Sequence, residues 1–331
     1  MRKLSLLLLA LLVALALVVA RAGRDKQELG AALAALPKNR QLAAYGVRQQ
    51  AARIELLGTT HDVEFTFVHL PARRAGSAPP LVFVHGTPST LFNWSALLLE
   101  PGSEPALAGD CDVYLLDALG HGQTTTTAPR YTFQACADWV RGFLRTLDLR
   151  GVTLVGQSYG GEFAWRAALD ERERIAKLVL IDSSGYARPD GAWLSEERKL
   201  REWPGARFGY LLNSRERIRP AAQLHFEREL TADQLEEFYL CCDSAENWRA
   251  MTELARDENG TRQGEISKLA LPTLLLFGER DLAYPPERVG RAFERDIAGA
   301  RLVVVPGAGH YVHEERVDVV RRELRAFHGL P

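Results

Sequence analysis

A serine flanked by glycines is the residue of this 331-residue chain best placed for covalent chemistry. Ser158 stands at the centre of Gly156-Gln157-Ser158-Tyr159-Gly160, after the apolar run 152–155 and before a helical stretch over 160–169. A sharp strand-to-helix turn exposes a serine hydroxyl, and small residues two positions away on either side let neighbouring backbones approach closely. The pattern therefore predicts that Ser158 is a nucleophile.

A serine hydroxyl attacks poorly until a base removes its proton, so a histidine and a carboxylate that orients it should follow along the chain. Asp281 ends Gly278-Glu279-Arg280-Asp281, directly after the apolar run 273–277. His310 ends Pro306-Gly307-Ala308-Gly309-His310, directly after the apolar run 302–305. Together with Ser158 these residues form a candidate acyl-transfer triad.

Other residues compete for these roles. Asp182 follows the apolar run 178–181 and is an alternative to Asp281 as the acid. His313 is an alternative base, but it falls where the last helix is predicted to begin, which favours a surface or capping position. His85 and His121 are interpreted as residues whose hydrogen bonds shape loops, and Asp117 as a structural residue. The other histidines have no motif around them and are interpreted as ordinary strand, cap or surface positions: His61, His69, His225 and His328.

Short apolar runs alternate with helical patterns over most of the chain. Runs too short for helices and almost unbroken by polar residues are typical of strands buried on both faces. Their alternation with helices predicts a mostly parallel sheet covered on both sides. The predicted strands are 52–57, 63–70, Leu81–Val84, Val113–Leu116, 152–155, 178–181, 273–277 and 302–305, and the predicted helices are 132–147, 160–169, 286–297 and 314–327.

No comparable strand pattern occurs between residues 183 and 269. This stretch has helical runs at 195–203 and 231–256, and Thr231 with Gln234 forms a capping box at the start of the second. We therefore expect an inserted helical cap at 183–269, a core made of 51–182 and 270–331, and a linker or helical segment at 23–50. The cap is rich in aromatic residues, for which packing is the favoured role: Trp193, Trp203, Phe208, Tyr210, Phe226, Phe238, Tyr239 and Trp248.

From about Leu81 to the C-terminus the chain resembles the α/β-hydrolase fold family. Besides the serine elbow, the resemblance rests on His85-Gly86-Thr87-Pro88 and on Asp117-Ala118-Leu119-Gly120-His121-Gly122, each directly after a predicted strand. It implies an eight-stranded, mostly parallel sheet with an inserted helical cap. It also implies that the backbone amides of Thr87 and Tyr159 form an oxyanion hole, and it implies no metal and no organic cofactor.

The chain also resembles epoxide hydrolases and haloalkane dehalogenases, but those enzymes use a carboxylate where this sequence has Ser158. The expected reaction is hydrolysis of a carboxylic ester through an acyl-enzyme, with a small, apolar ester as substrate. Carbon–carbon bond hydrolysis, aminopeptidase and perhydrolase activity remain open within the same fold. A non-catalytic, membrane-tethered binding protein is the alternative from another class, and the intact triad argues against it.

The overall charge excludes one class of partner. The chain has 41 basic and 42 acidic residues, interspersed along its length, so no electrostatic footprint for nucleic acid is present. Its cysteines lack the paired spacing of a zinc site and are interpreted as structural thiols, with a bridge between Cys111 and Cys136 open if the chain is exported. The four are Cys111, Cys136, Cys241 and Cys242.

The N-terminus predicts membrane targeting. Arg2 and Lys3 precede an uncharged apolar run at 4–20, and Ala20-Arg21-Ala22 matches a cleavage pattern. Residues 1–22 are therefore a signal peptide or a retained membrane anchor, because the run lies between the usual lengths of the two. We expect export with the catalytic domain outside the cytoplasm. The basic residues after the run leave the cytoplasm-facing anchored orientation open.

Overall fold

The computed structural model describes residues 25–73, 78–99, 107 and 109–330 of the chain. The strands are β1 Val47–Leu56, β2 Thr59–Leu70, β3 Leu81–Val84, β4 Val113–Leu116, β5 Thr125–Thr126, β6 Val152–Gln157, β7 Ile175–Ile181, β8 Thr273–Gly278 and β9 Arg301–Val305. Eight of them form a continuous sheet in the order β1-β2-β4-β3-β6-β7-β8-β9, and the two-residue strand β5 pairs with β2. The strands from β4 to β9 in this order run parallel, whereas β1 and β5 pair with β2 in antiparallel orientation, as does β2 with β4.

The unbroken apolar runs result from burial on both faces of the sheet. All four residues of β3 are buried, and successive side chains point to opposite faces. Val82 and Val84 belong to the core cluster on one face, and Leu81 and Phe83 belong to the cluster on the other. The predicted mostly parallel sheet covered by helices is confirmed.

Helices cover both faces and build the cap. The long helix that packs against β1 follows the N-cap residue Thr132, whose hydroxyl accepts a hydrogen bond from the Ala135 amide. The α-helices are α1 Lys26–Ala35, α2 Arg40–Ala43, α3 Ser95–Leu99, α4 Phe133–Thr146, α5 Tyr159–Asp170, α6 Ser195–Glu202, α7 Arg215–Gln223, α8 Ala232–Cys242, α9 Ala245–Asp257, α10 Arg291–Asp296, α11 Val312–Glu315 and α12 Val317–His328. Shorter 3₁₀ turns span Pro37–Asn39, Leu91–Trp94, Asp190–Ala192, Ala206–Leu212 and Gln263–Lys268, and a π turn spans Pro286–Gly290.

The segment before the sheet packs onto the body. Leu29, Leu33 and Leu42 are buried in the same core cluster as Leu81 and Phe83. The first strand begins at Val47, five residues before the predicted start. The prediction missed this part because its side chains are mostly polar and exposed, so the apolar signal appears only near the far end of β1.

The cap contains no strand within residues 183–269, but the prediction of one helix over 231–256 is wrong. The chain instead forms α8 and α9. Asp243 ends the first helix, and the Ser244 hydroxyl caps the second by accepting a hydrogen bond from the Asn247 amide. The predicted capping box of Thr231 and Gln234 is present at the start of α8.

Two other predicted helices are interrupted. The last helix, predicted over 314–327, is divided into α11 and α12 because Arg316 takes a non-helical conformation (φ −130°, ψ 53°) between them. The helix predicted over 286–297 starts as the π turn Pro286–Gly290 before α10. Both breaks lie beside the loops that carry the candidate acid and base.

All four cysteines are buried and free. Cys111 and Cys136 belong to core clusters on opposite faces of the sheet, so the structure does not form the bridge that the sequence left open.

Among residues 25–73, 78–99, 107 and 109–330, no helix combines the length and apolar character needed to cross a membrane. The predicted signal peptide or anchor lies outside the described residues.

Candidate active site

The serine elbow lies between β6 and α5. Ser158 has φ 55° and ψ −124°, a left-handed backbone conformation that costs free energy for any residue except glycine. Close backbone packing holds the turn, because a Cβ at Gly156 would lie 2.4 Å from the Gly160 carbonyl oxygen. The Ser158 amide donates to the Ile181 carbonyl over 3.0 Å. The side chain is thereby presented at the carboxyl edge of the sheet.

The structure brings Ser158, His310 and Asp281 together. The Nε2 atom of His310 lies 3.0 Å from the Ser158 Oγ, and its Nδ1 atom lies 2.8 Å from an Asp281 carboxylate oxygen. The Nδ1–H group of His310 donates to the Asp281 carboxylate, which leaves Nε2 free to accept the serine proton. These distances suit a nucleophile, a general base and an orienting acid.

Asp281 is held as a carboxylate. Burial raises its pKa, but attraction to His310 and hydrogen bonds from His310 and from the amides of Tyr284 and Ala283 outweigh burial and lower that pKa below its usual value. The two amides donate to its other carboxylate oxygen over 3.1 Å and 2.8 Å. The Asp281 carboxylate is therefore held in one orientation, and its charge can stabilise a protonated imidazole.

Asp182, the alternative acid, lies nearby without contacting the histidine. Its carboxyl oxygens accept hydrogen bonds from the Gly278 amide over 2.7 Å and from the Val312 amide over 3.4 Å. Burial and repulsion by Asp281 raise its pKa well above the usual value, which favours the protonated form. In this structure the carboxylate that contacts His310 is that of Asp281.

Thr87 and Tyr159 border the same cavity as Ser158 and His310. Tyr159 directly follows the serine and begins α5, so its amide lies at a helix N-terminus, where backbone donors face outward. Thr87 follows β3 in the neighbouring loop, and its hydroxyl is 2.7 Å from the His121 Nε2. Both residues therefore lie beside the nucleophile, as an oxyanion hole requires.

The cavity has a volume of about 520 Å³ and lies between the carboxyl edge of the sheet and the cap. Its walls are predominantly apolar, and cap helices α7, α8 and α9 supply Ile218, Phe238 and Met251. Of the cap aromatics, Trp203, Phe238 and Trp248 border the cavity. Phe226 and Tyr239 instead pack within the cap cluster, as favoured from the sequence.

His225 borders the cavity, although the sequence interpretation treated it as an ordinary position. Its ring lies 5.4 Å from that of His310, and its carbonyl accepts a hydrogen bond from the His310 amide over 2.8 Å. Burial, followed by repulsion from His310, lowers the pKa of His225 to about 4, so the imidazole is neutral. Its solvent-shielded Nδ1 has no partner among the described residues. No local sequence motif marks this position.

A buried ionic network ties the cap to the elbow. The Tyr159 hydroxyl donates to a Glu258 carboxylate oxygen over 2.6 Å, and Arg188 donates to the same carboxylate over 2.7 Å. Tyr284, three residues after Asp281, donates its hydroxyl to Glu258 over 3.1 Å. Arg188 also binds Glu197 of the cap over 2.7 Å. The sequence interpretation used only the backbone amide of Tyr159 and missed the others, which come from segments far apart along the chain: Arg188, Glu197, Glu258 and Tyr284.

Two of the loop residues act as anticipated, by shaping loops. The Asp117 carboxylate accepts from the amides of Leu91 and Gln123, and His85 Nε2 accepts from the Ala118 amide. For His313, the prediction of a surface or capping position is wrong. Its ring is fully buried, and its Nε2 lies 2.6 Å from the Asn93 side-chain oxygen, because α11 packs against the turn Leu91–Trp94.

Within the described residues, one group has a spacing that suits metal ligation: Asp182, Asp281 and His310, whose ligand atoms lie within 4.8 Å of one another. These atoms already bind one another, Ser158 or backbone amides. The cluster therefore coincides with the triad and does not form a separate site.

Comparison with known proteins defines the class. Residues 79–317 match the family model for the alpha/beta hydrolase fold, and the chain belongs to that family. It is an α/β-hydrolase enzyme with a small-molecule substrate as the plausible partner.

Three relatives illustrate the range of activities in the family. The chain is 27% identical over 266 residues to the hydrolase YugF of Bacillus subtilis (strain 168), covering 75% of this chain and 89% of YugF. It is 28% identical over 250 residues to 2-hydroxymuconate semialdehyde hydrolase of Pseudomonas sp. (strain CF600), covering 73% and 83%. A thermophilic esterase from Thermogutta terrifontis has a similar structure, with a TM-score of 0.63, 25% identity and coverage of 84% and 99%.

Proposed function

We propose that the protein is a serine hydrolase that cleaves carboxylic esters with an apolar acyl or alcohol part. The observation that carries this proposal is the chain of contacts from Asp281 through His310 to Ser158, at 2.8 Å and 3.0 Å, on the wall of a mostly apolar cavity. Likeness to the Thermogutta terrifontis esterase supports the same reaction class.

In this mechanism Ser158 attacks the ester carbonyl while His310 Nε2 takes its proton. The amides of Thr87 and Tyr159 bind the oxyanion, and preorganised donors of this kind each contribute about 10²- to 10³-fold to turnover. His310 then protonates the leaving alcohol as the carbonyl–oxygen bond breaks, which leaves an ester on Ser158. Water, deprotonated by His310, attacks this ester, and the serine recovers its proton as the acid leaves.

The cavity limits the substrate. Its apolar walls reward the burial of hydrocarbon, at about 25 cal/mol for each Å² removed from water. Thr87, Tyr159, His225 and His310 border the cavity together with Ser158, whereas its charged lining residues, Glu196, Glu197, Lys199 and Arg217, belong to the cap. An apolar ester with one carbonyl to position suits this arrangement better than a charged substrate.

Carbon–carbon bond hydrolysis is the second candidate. The similar protein of Pseudomonas sp. (strain CF600) is named 2-hydroxymuconate semialdehyde hydrolase, and it matches 73% of this chain. Both reactions use a serine, a histidine and an acid, so a substrate panel must distinguish them.

The decisive experiment combines covalent labelling with kinetics. The full chain is treated with a fluorophosphonate probe and assayed on an ester panel and on a carbon–carbon cleavage substrate, beside Ser158→Ala, His310→Ala and a control at an exposed serine, Ser267→Ala. We expect labelling and ester hydrolysis in the wild type and in Ser267→Ala, and neither in the first two variants. Wild-type protein without labelling or turnover would refute the proposal, and turnover of the carbon–carbon substrate alone would favour the second candidate.

We further propose that residues 4–20 target the chain to a membrane, with the catalytic body outside the cytoplasm. The support is the apolar run behind Arg2 and Lys3. A reporter that functions only outside the cytoplasm, fused to the C-terminus, tests the orientation. Sequencing the N-terminus of the mature protein distinguishes a removed signal from a retained anchor.

A further inference from the structure

The mouth of the active-site cavity lies in one part of the cap. Five residues border the cavity and are also exposed to solvent, and they come from α6, the turn Ala206–Leu212 and the start of α7. Residues that satisfy both conditions mark the opening between the cavity and bulk water. They are Glu196, Lys199, Trp203, Leu212 and Arg217.

Large apolar side chains are exposed around this mouth. Trp203 and Phe208 are each 50% exposed, and Leu212 is 55% exposed. Ala206–Leu212 is a 3₁₀ turn, in which side chains three apart share a face. Ala206, Gly209 and Leu212 accordingly border the cavity, whereas Phe208 does not. The turn is thus a thin wall with an apolar inner face and an exposed aromatic ring outside.

The same region is basic, in contrast to the nearly neutral chain. Residues 198–219 contain seven basic and two acidic residues. Arg201 points inward to the carbonyls of Ala255 and Glu258, and Arg215 binds Glu236. At the mouth, Lys199 binds Glu196 and Arg207 lies over the Phe208 ring. Four arginines of this region are exposed: Arg198, Arg207, Arg217 and Arg219.

We propose that this rim, defined by Trp203, Phe208, Leu212, Arg207 and Arg217, docks on an anionic phospholipid surface. Aromatic and aliphatic side chains that are exposed together with arginine and lysine suit the water–lipid boundary, where the apolar groups enter and the cations face the headgroups. Because the rim surrounds the cavity mouth, docking lets an apolar ester pass from the lipid toward Ser158 without crossing water. The last step rests on the proposed esterase function, whereas docking itself does not.

Quenching of Trp203 measures docking of the rim directly. Full-chain protein is mixed with two kinds of vesicle whose lipids carry bromine on their acyl chains. The anionic vesicles contain phosphatidylcholine and phosphatidylglycerol in equal parts, and the others contain phosphatidylcholine alone. We expect quenching on the anionic vesicles that is lost in Trp203→Phe. Attachment through residues 4–20 alone does not quench Trp203, because it leaves the rim in water.

One rim double variant and one matched control double variant complete the test. Phe208→Ser/Arg207→Glu should reduce the Trp203-dependent quenching at least about fivefold, since each basic residue near an anionic surface contributes a factor of about that size. The matched control is Leu57→Ser/Arg53→Glu on the β1–β2 hairpin, where Leu57 is 48% exposed and Arg53 is also exposed. It should leave the quenching unchanged, and hydrolysis of a water-soluble ester should persist in both double variants.

The proposal would be overturned if anionic vesicles caused no Trp203-dependent quenching. Undiminished quenching in the rim variant would also overturn it, and so would equal quenching on vesicles of phosphatidylcholine alone. A second protein copy that covered the rim would also leave Trp203 unquenched. Failure of ester hydrolysis with intact quenching would refute the esterase function and leave docking supported.

Discussion

The carboxyl groups of Asp182 and Asp281 follow two neighbouring parallel strands, β7 and β8, and lie within 4.8 Å of each other, yet only Asp281 contacts His310. Their environments shift their pKa values in opposite directions. Asp281 receives hydrogen bonds from His310 and two amides and keeps its charge. Asp182 lies buried beside that charge, and both burial and the charge raise its pKa. Two adjacent carboxyl groups thus have opposite pKa shifts and different contacts.

Substitution of the two aspartates should separate their roles. Asp281→Asn should lower kcat for ester hydrolysis by about 10⁴-fold, because the amide no longer selects the productive histidine tautomer. Asp182→Asn should lower kcat less than about tenfold, since an amide resembles a neutral acid in shape and still accepts from a backbone amide. Steady-state kinetics at pH 7 measure both. An equal loss in the two variants would contradict this division of roles.

The stability of Asp182→Asn should depend on pH in a defined direction. Burial, together with repulsion from Asp281, raises the folded-state pKa of Asp182 above the unfolded value of about 3.9. Above that pH the unfolded chain releases a proton that the folded chain keeps, so this group lowers the free energy of unfolding as pH rises. The variant lacks this effect. Its free energy of unfolding relative to the wild type should therefore increase from pH 4 to pH 7, as urea denaturation will measure, and a decrease would contradict the assignment.

The network around Glu258 should matter for stability. Arg188→Met leaves the Glu258 carboxylate without its buried cation, and breaking such a pair costs about 3–5 kcal/mol. Tyr159→Phe removes one hydrogen bond to the carboxylate and should cost about 1.5–3 kcal/mol. It keeps the Tyr159 amide, so kcat should change less than about tenfold if that amide binds the oxyanion.

The exposed pair Arg53–Asp62, with oxygen and nitrogen 3.4 Å apart, provides the control for this network. Arg53→Ala should cost less than about 1 kcal/mol. Urea denaturation of all three variants provides the comparison. A cost for Arg188→Met as small as that for Arg53→Ala would show that the cap network contributes little.

Glycine at the elbow should be irreplaceable. Gly156→Ala would place a Cβ 2.4 Å from the Gly160 carbonyl oxygen and 2.6 Å from the Gly161 Cα, and neither backbone atom can move away cheaply. We expect a loss above about 3 kcal/mol, typical of severe steric strain, and loss of fluorophosphonate labelling. Gly264→Ala is the matched control, because its added Cβ meets no atom within 4 Å among the described residues other than its chain neighbours. It should be neutral or stabilise by about 0.4–1 kcal/mol.

Several features followed from local sequence. Strands buried on both faces must be almost entirely apolar, so β3, β6 and β8 were recognisable as short unbroken runs. The carboxyl ends of parallel strands meet at one edge of the sheet. Ser158, Asp281 and His310, each shortly after such a run, were therefore expected to converge. Where local signals were weak, as in the polar start of β1 and the break at Ser244 between α8 and α9, the predicted boundaries were wrong.

The remaining features depended on tertiary structure. The sequence favoured Asp281 as the acid but left Asp182 as an alternative, because the contact with His310 depends on loop geometry over distances of a few ångströms. His225 and Glu258 have no motif, and their places beside His310 and Tyr159 result from how the cap packs on the sheet. The sequence alone determined the catalytic candidates and the sheet that carries them. The folded chain decided their partners, because hydrogen bonding and burial act between residues that are distant along the sequence.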